Sequence, residues 1–147
     1  MSFGRSLAAV AILGAAIVPA AHCDPLFDGL TVYKGLDGSL TDQSIRNLAI
    51  LSAAAAQNGR LLVWVAFKMS FVGDPALRTA GVIAQESAVK QELIESVVMP
   101  LVDEGHAEIF PDVLPGAPGC QLSASASALA RLARSDKVVH IGYLGGL

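Results

Sequence analysis

Residues able to do chemistry are few in this chain, and they are scattered. Three histidines (His22, His106, His140) and two cysteines (Cys23, Cys120) are spread over 147 residues. None of them forms an H-x-x-x-H or C-x-x-C pair, the spacings that aim two ligands at one ion. Ser123, Ser125 and Ser127 alternate with alanine. They lack the G-x-S-x-G context that exposes a nucleophile at a strand-to-helix elbow, and no base lies nearby. Asp103-Glu104 and Glu92/Glu95 are paired acids at turn or helix positions, where solvated charge is the expected role. Gly116-x-x-Gly119 lacks the further glycine and the lysine of a phosphate loop, and Pro115 and Pro118 stiffen it. His140 alternates with Val139 and Ile141, which predicts a surface or edge strand position. This inventory predicts no enzyme, no metal and no cofactor.

Composition narrows the classes further. The chain is 53% hydrophobic and 16% charged, with a net charge of -3. It has no basic stripe interleaved with aromatics, so a nucleic-acid partner is not expected. Residues 1–21, "MSFGRSLAAVAILGAAIVPAA", place Arg5 before an apolar run from Leu7 to Val18 and then small residues. That order predicts a secretory signal peptide, because the run is shorter than the roughly 20 residues that cross a bilayer. The expectation is a secreted or periplasmic protein, off the membrane once the signal is removed. Export permits a disulfide between Cys23 and Cys120 where cleavage leaves Cys23 on the chain.

The remaining segment, about 125 residues, suffices for one core. Residues 24–40, rich in Gly and Asp, read as an exposed arm. Thr41-Asp42 offers a helix cap ahead of Ile45, Leu48, Ala49 and Ala55, and Asn58-Gly59 a helix stop. "RLLVWVAFKM" (60–69) alternates as a strand with both faces apolar at its middle, which predicts a central position. Asp74-Pro75 would open a long helix carrying Val82, Ile83, Val89, Leu93, Ile94, Val97 and Val98, ended or kinked by Pro100. Next come a strand from His106 to about Val113, a turn-rich link and a strand from Cys120. In "SASASALARLARSDKVVHI" the Ser/Ala half reads as a helix, with Ala126, Leu129, Ala130, Leu132 and Ala133 on one face. "KVVHIGY" reads as the last strand. After the first helix the order is β-α-β-β-α-β, a ferredoxin-like α+β arrangement with an antiparallel four-stranded sheet and two helices on one face. The expected divisions are a signal peptide (1–21), an arm and helix (22–58) and the main domain (59–147).

Those elements, in that order, resemble the propeptide domain of bacterial subtilisin-like serine proteases, which stand-alone subtilisin-propeptide-like inhibitors share. The resemblance covers about Gly59 to Tyr143, through "RLLVWVAFKMSF", the long helix, "HAEIFPDVLPGAPGCQ" and the final signature Ala126, Leu129, Leu132, Val138, Ile141. It implies a monomer that binds a subtilisin-like serine protease with its sheet face. It also implies that residues after the last strand enter the cleft, inhibiting the protease or assisting its folding. Carried over, that tail is Gly142, Tyr143, Leu144, Gly145, Gly146 and Leu147, with Tyr143 or Leu144 filling a pocket. Gly142 departs from the family's usual acidic residue at that point, and the hairpin holds two prolines. The 147 residues contain none of the protease's own Asp, His and Ser motifs. The alternatives are a non-inhibitory periplasmic interaction module and the remnant of a truncated protease precursor.

Overall fold

The computed structural model describes residues 30–70, 72–111 and 116–146. The proposed signal peptide, Cys23 and His22 lie outside the described residues. The described chain is α+β. Its strands are β1 (Thr31–Tyr33), β2 (Leu61–Phe67), β3 (Ala107–Ile109), β4 (Gly119–Ala124) and β5 (Val138–Gly146). They form one antiparallel sheet in the order β1-β5-β2-β4-β3.

Strand β2 lies at the centre, as its two apolar faces predict. Leu61, Val63, Val65 and Phe67 are fully buried, while Leu62, Trp64 and Ala66 are half-buried. The buried set meets Leu122 and Cys120 of β4 and Ile141 and Val138 of β5 in register. Helices cover this side. Helix α1 (Asp42–Asn58) buries Leu51, Ala54 and Ala55 and packs along α4 (Ala126–Arg134), which buries Ala128, Leu129, Leu132 and Ala133. Leu129 is 0% exposed, so truncating it to alanine would cost about 2–5 kcal/mol.

Several boundaries arise from local chemistry. The Thr41 hydroxyl accepts from the Ser44 N–H and starts α1, and Gly59, at φ 85°, follows its last residue. The left-handed conformation at Gly59 suits glycine because a Cβ would crowd the neighbouring carbonyl. Ser125 caps α4 through the Ala128 N–H. Ser and Ala here mark a capped helix, not a linker.

Four expectations need correction. The arm at 24–40 contains β1, whose Val32 is buried in the common core. Three residues are too few to show a period, and only pairing with β5 makes them a strand. Asp74 and Pro75 open a 3-10 turn (Pro75–Leu77), while α2 (Ala80–Leu93) begins only after Arg78 and the capping Thr79. The third strand is shorter than expected, ending at Ile109.

Pro100 does not end the long helix. A π-turn (Ile94–Val98) precedes it, and α3 (Met99–Asp103) continues through it. The Met99 N–H reaches back to the Ile94 carbonyl. The wider turn relieves the clash between the proline ring and the preceding turn. One inserted residue also rotates the downstream helical face by about 100°. Val98 at the end of the turn and Leu101 beyond it are buried together with Ile94 at its start, whereas Ile83 and Val89 on α2 remain 38% and 42% exposed.

Candidate protein-docking face

The sheet side away from the helices carries the alternate residues of every strand. Register places Tyr33 beside His140 and His140 beside Ala66, and Thr31 beside Gly142 and Gly142 beside Trp64. Across β4, Trp64 stands beside Gln121 and Leu62 beside Ser123, which neighbours Glu108 of β3. The result is a flat face with an apolar centre (Leu62, Trp64, Ala66) and an aromatic edge at Tyr33, which is 45% exposed.

Two glycines shape that face. A Cβ on Gly119 would stand 2.3 Å from the Val65 carbonyl oxygen and 2.9 Å from Cζ2 of Trp64. The indole therefore occupies, with Cζ2, the space that a Cβ at Gly119 would take, and Trp64 stays half-buried. A Cβ on Gly142 would meet Cε1 of His140 at 3.1 Å, so the imidazole leans over that glycine. Burial pushes the His140 imidazole below the ordinary histidine range. Of the surface or edge position expected from its alternation, His140 takes the first: it sits half-buried on the outward face of an interior strand, flanked by β1 and β2. Ser123 Oγ, buried on the same side, has no hydrogen-bond partner among the described residues.

Other residues that could do chemistry are not brought together. Ser123 lies in β4, Ser125 caps α4, and Ser127 is exposed on that helix. His106 precedes β3 at one edge of the sheet, with β4 and β2 between it and β5, which holds His140. Glu104 receives a two-pronged contact from Arg131, at 2.6 and 3.2 Å, which holds its carboxyl below the ordinary range. Glu92 and Glu95 are exposed, the latter accepting from Gln91. The hairpin glycine Gly116 backs onto the Arg78 guanidinium. Among the described residues no group of three His, Cys, Asp or Glu is placed to hold a metal, and no helix is long and apolar enough to cross a membrane. A cleft of about 280 Å³ between α3 and α4 includes Ser96, Pro100, Arg131, Ser135, Asp136 and Lys137 in its walls. Its two cations face two acids, counting the Glu104 already on Arg131, so it favours neither sign of ligand.

The proposed tail residues occupy a different place from a free end. Gly142, Tyr143, Gly145 and Gly146 pair with Trp64, Val63, Leu62 and Leu61, with an irregularity at Leu144. Tyr143 packs against the core, and the Leu144 side chain is 38% exposed. Leu147 lies outside the described residues. Cys120 is buried at 2% exposure on the helix side of β4, and its proposed partner Cys23 also lies outside the described residues.

A central β2 and a binding sheet face are both expected from the sequence and its resemblance; the residues that line that face, Leu62, Trp64, Tyr33 and His140, are not singled out there as its lining. Glycines at 119 and 142, flanking the tryptophan strand in its neighbours, were the available signal: bare backbone beside a large ring. Comparison with known protein families, with curated proteins and with solved structures gives no match.

Proposed function

We propose that this chain is an exported protein-binding module of the subtilisin-propeptide kind, docking on a subtilisin-like serine protease through its open sheet face. The observation that carries the reading is the half-exposed row Leu62–Trp64–Ala66, bordered by Tyr33 and His140, on the side that the helices leave bare. A flat patch with an aromatic anchor at its centre is the kind of surface that buries against a partner. The strand order β5-β2-β4-β3 and the β-α-β-β-α-β succession support a ferredoxin-like assignment, with β1 and α1 added beside β5.

Residues 142–146 hold β5 to β2 in the unbound chain. Their use as an inhibitory segment demands release from that ladder, so the face and not the tail is the primary contact in this reading. The same observation favours a second outcome, binding without inhibition. The test is a panel of subtilisin-like proteases incubated with the folded protein, scoring complex formation and hydrolysis of a small substrate separately. Complex formation that is lost in Trp64→Ala supports docking, and residual activity in the complex separates binder from inhibitor. A folded protein that forms no complex with any member overturns the reading.

A further inference from the structure

The helix layer holds a cleft that the docking reading does not use. Its volume is about 280 Å³, and it lies between α3 and α4. One wall starts in the π-turn, with Ser96 and Val97, and passes Pro100 into α3. The other is the end of α4, from Arg131 to Ser135, followed by Asp136 and Lys137. π-Turns inside helices recur at functional sites, because the extra residue takes backbone and side chains out of the regular ladder. Here Pro100 has no N–H, so the Ser96 carbonyl four residues back loses its ordinary helical donor.

The cleft has an apolar floor and a polar rim. Leu101 and Leu132 are buried, and Val97 packs partly buried against the same core. The rim charges are not equally engaged. Arg131 is held by Glu104. Lys34, whose ammonium donates to the Ser135 carbonyl, feels the attraction of Asp136 without forming an ion pair with it. Asp136 and Lys137 are exposed, and neither has an ion-pair partner among the described residues. Ser135 Oγ accepts the Lys137 N–H at 3.2 Å, which fixes the turn that carries both.

We propose that this cleft binds a free apolar α-amino acid, such as leucine, as its zwitterion. The ligand's side chain lies on Leu101, Leu132 and Val97, its carboxylate meets Lys137 and its ammonium meets Asp136. One open cation and one open anion beside an apolar floor match a molecule that carries both charges on one apolar body. A ligand that carries either charge alone leaves one of them unanswered. The volume sets the size, since it falls just under the roughly 300 Å³ at which sites for drug-sized ligands begin. The cleft lies on the helix side of the sheet, away from the open face, so the proposal goes beyond the docking reading and does not depend on it.

The test follows the backbone amide shifts of the folded protein during titration with L-leucine, leucinamide, N-acetyl-leucine and glycine. Leucinamide lacks the carboxylate, N-acetyl-leucine the ammonium and glycine the side chain. Leucine is expected to move the amides of Ser96, Ser135 and Lys137 saturably, and each of the other three to bind at least about tenfold more weakly. Asp136→Asn and Lys137→Gln should each weaken leucine by a similar factor with the circular dichroism unchanged, because both side chains are exposed. No saturable shift with leucine up to its solubility, or shifts that map away from the cleft, overturns the proposal. Equal binding of leucinamide or N-acetyl-leucine assigns the cleft to a peptide end and overturns it as well. Glycine binding as tightly as leucine removes the apolar floor from the site, and undiminished affinity in either variant removes the charge pair; each result sinks the proposal.

Discussion

Asn47 of α1 donates its Nδ2 proton to the Thr31 carbonyl of β1 at 2.8 Å, and one turn earlier Ser44 Oγ accepts the Tyr33 N–H at 2.9 Å. Strand β1 pairs with β5 through the backbone of Leu30, Val32 and Lys34, so Thr31 and Tyr33 point their polar groups to the outer edge. The two side chains, both buried, therefore close the edge that would otherwise template another strand. Asn47→Ala removes the donor to Thr31 and the acceptor that receives Gln43 Nε2. A loss of about 1–2 kcal/mol is expected by chemical denaturation, with faster amide exchange confined to β1. Unchanged exchange at Tyr33 and its neighbours would refute the lock.

Gly119→Ala is the sharpest packing test. The new methyl collides with backbone at 2.3 Å and with the Trp64 ring at 2.9 Å. The ring can swing aside but the Val65 carbonyl cannot without shifting β2 against β4, so the expected loss is about 3 kcal/mol or more, with a shifted tryptophan emission. Gly73→Ala, where a Cβ meets nothing within 4 Å, serves as the control and should be close to neutral.

Deleting residues 142–147 separates a structural from a purely inhibitory role for the chain end. Those residues carry ladder pairs with Leu61 to Trp64 at the middle of the sheet. Loss of cooperative thermal unfolding is expected. A truncated protein with unchanged melting would show that β5 is dispensable beyond Ile141.

Acid should weaken the crossover that leads into α2. Glu86 accepts the Val72 N–H at 2.8 Å and pairs with Arg78 at 2.8 Å, while Arg78 donates to the Val72 carbonyl. The Val72 bond foremost, and Arg78 after it, hold the Glu86 carboxyl below its ordinary 4.5. A carboxyl depressed in the folded state contributes stability above its unfolded value, and that contribution is lost as pH falls through the folded one. The window is therefore below about 4.5. Glu86→Gln should flatten the stability profile there, and an unaltered acid limb would rule the clamp out.

His140 acts in a higher window with its own sign. Burial favours the neutral ring in the folded state, so below its ordinary 6.5 the unfolded chain takes up the proton first. Stability should fall as pH drops beneath that value. His140→Gln is expected to remove this slope, and a ring titrating by NMR at or above 6.5 would contradict it.

Local chemistry was legible wherever one element carried its own signal. Thr41 and Gly59 bound α1, Ser125 caps α4, and the alternation in "LLVWVAF" marks the central strand. Each depends on neighbours within a few residues, which is what caps and periodicity report. Helix α2 shows the limit: the apolar spacing foretold a helix, but the π-turn ahead of Pro100 set which part of it reaches the core.

By itself, then, the sequence determined the succession of helices and strands from α1 onward, because propensity, capping and period are properties of short segments. Tertiary structure alone decided that "TVY" is a strand, since Leu30, Val32 and Lys34 pair with Tyr143, Ile141 and Val139 and its outer edge is closed by Ser44 and Asn47. It also decided that Gly142 to Gly146 belong to the sheet, and that the Trp64 ring takes the space beside Gly119 on the outward face. These relations join residues tens of positions apart, and the energy that selects them exists only once the strands have met.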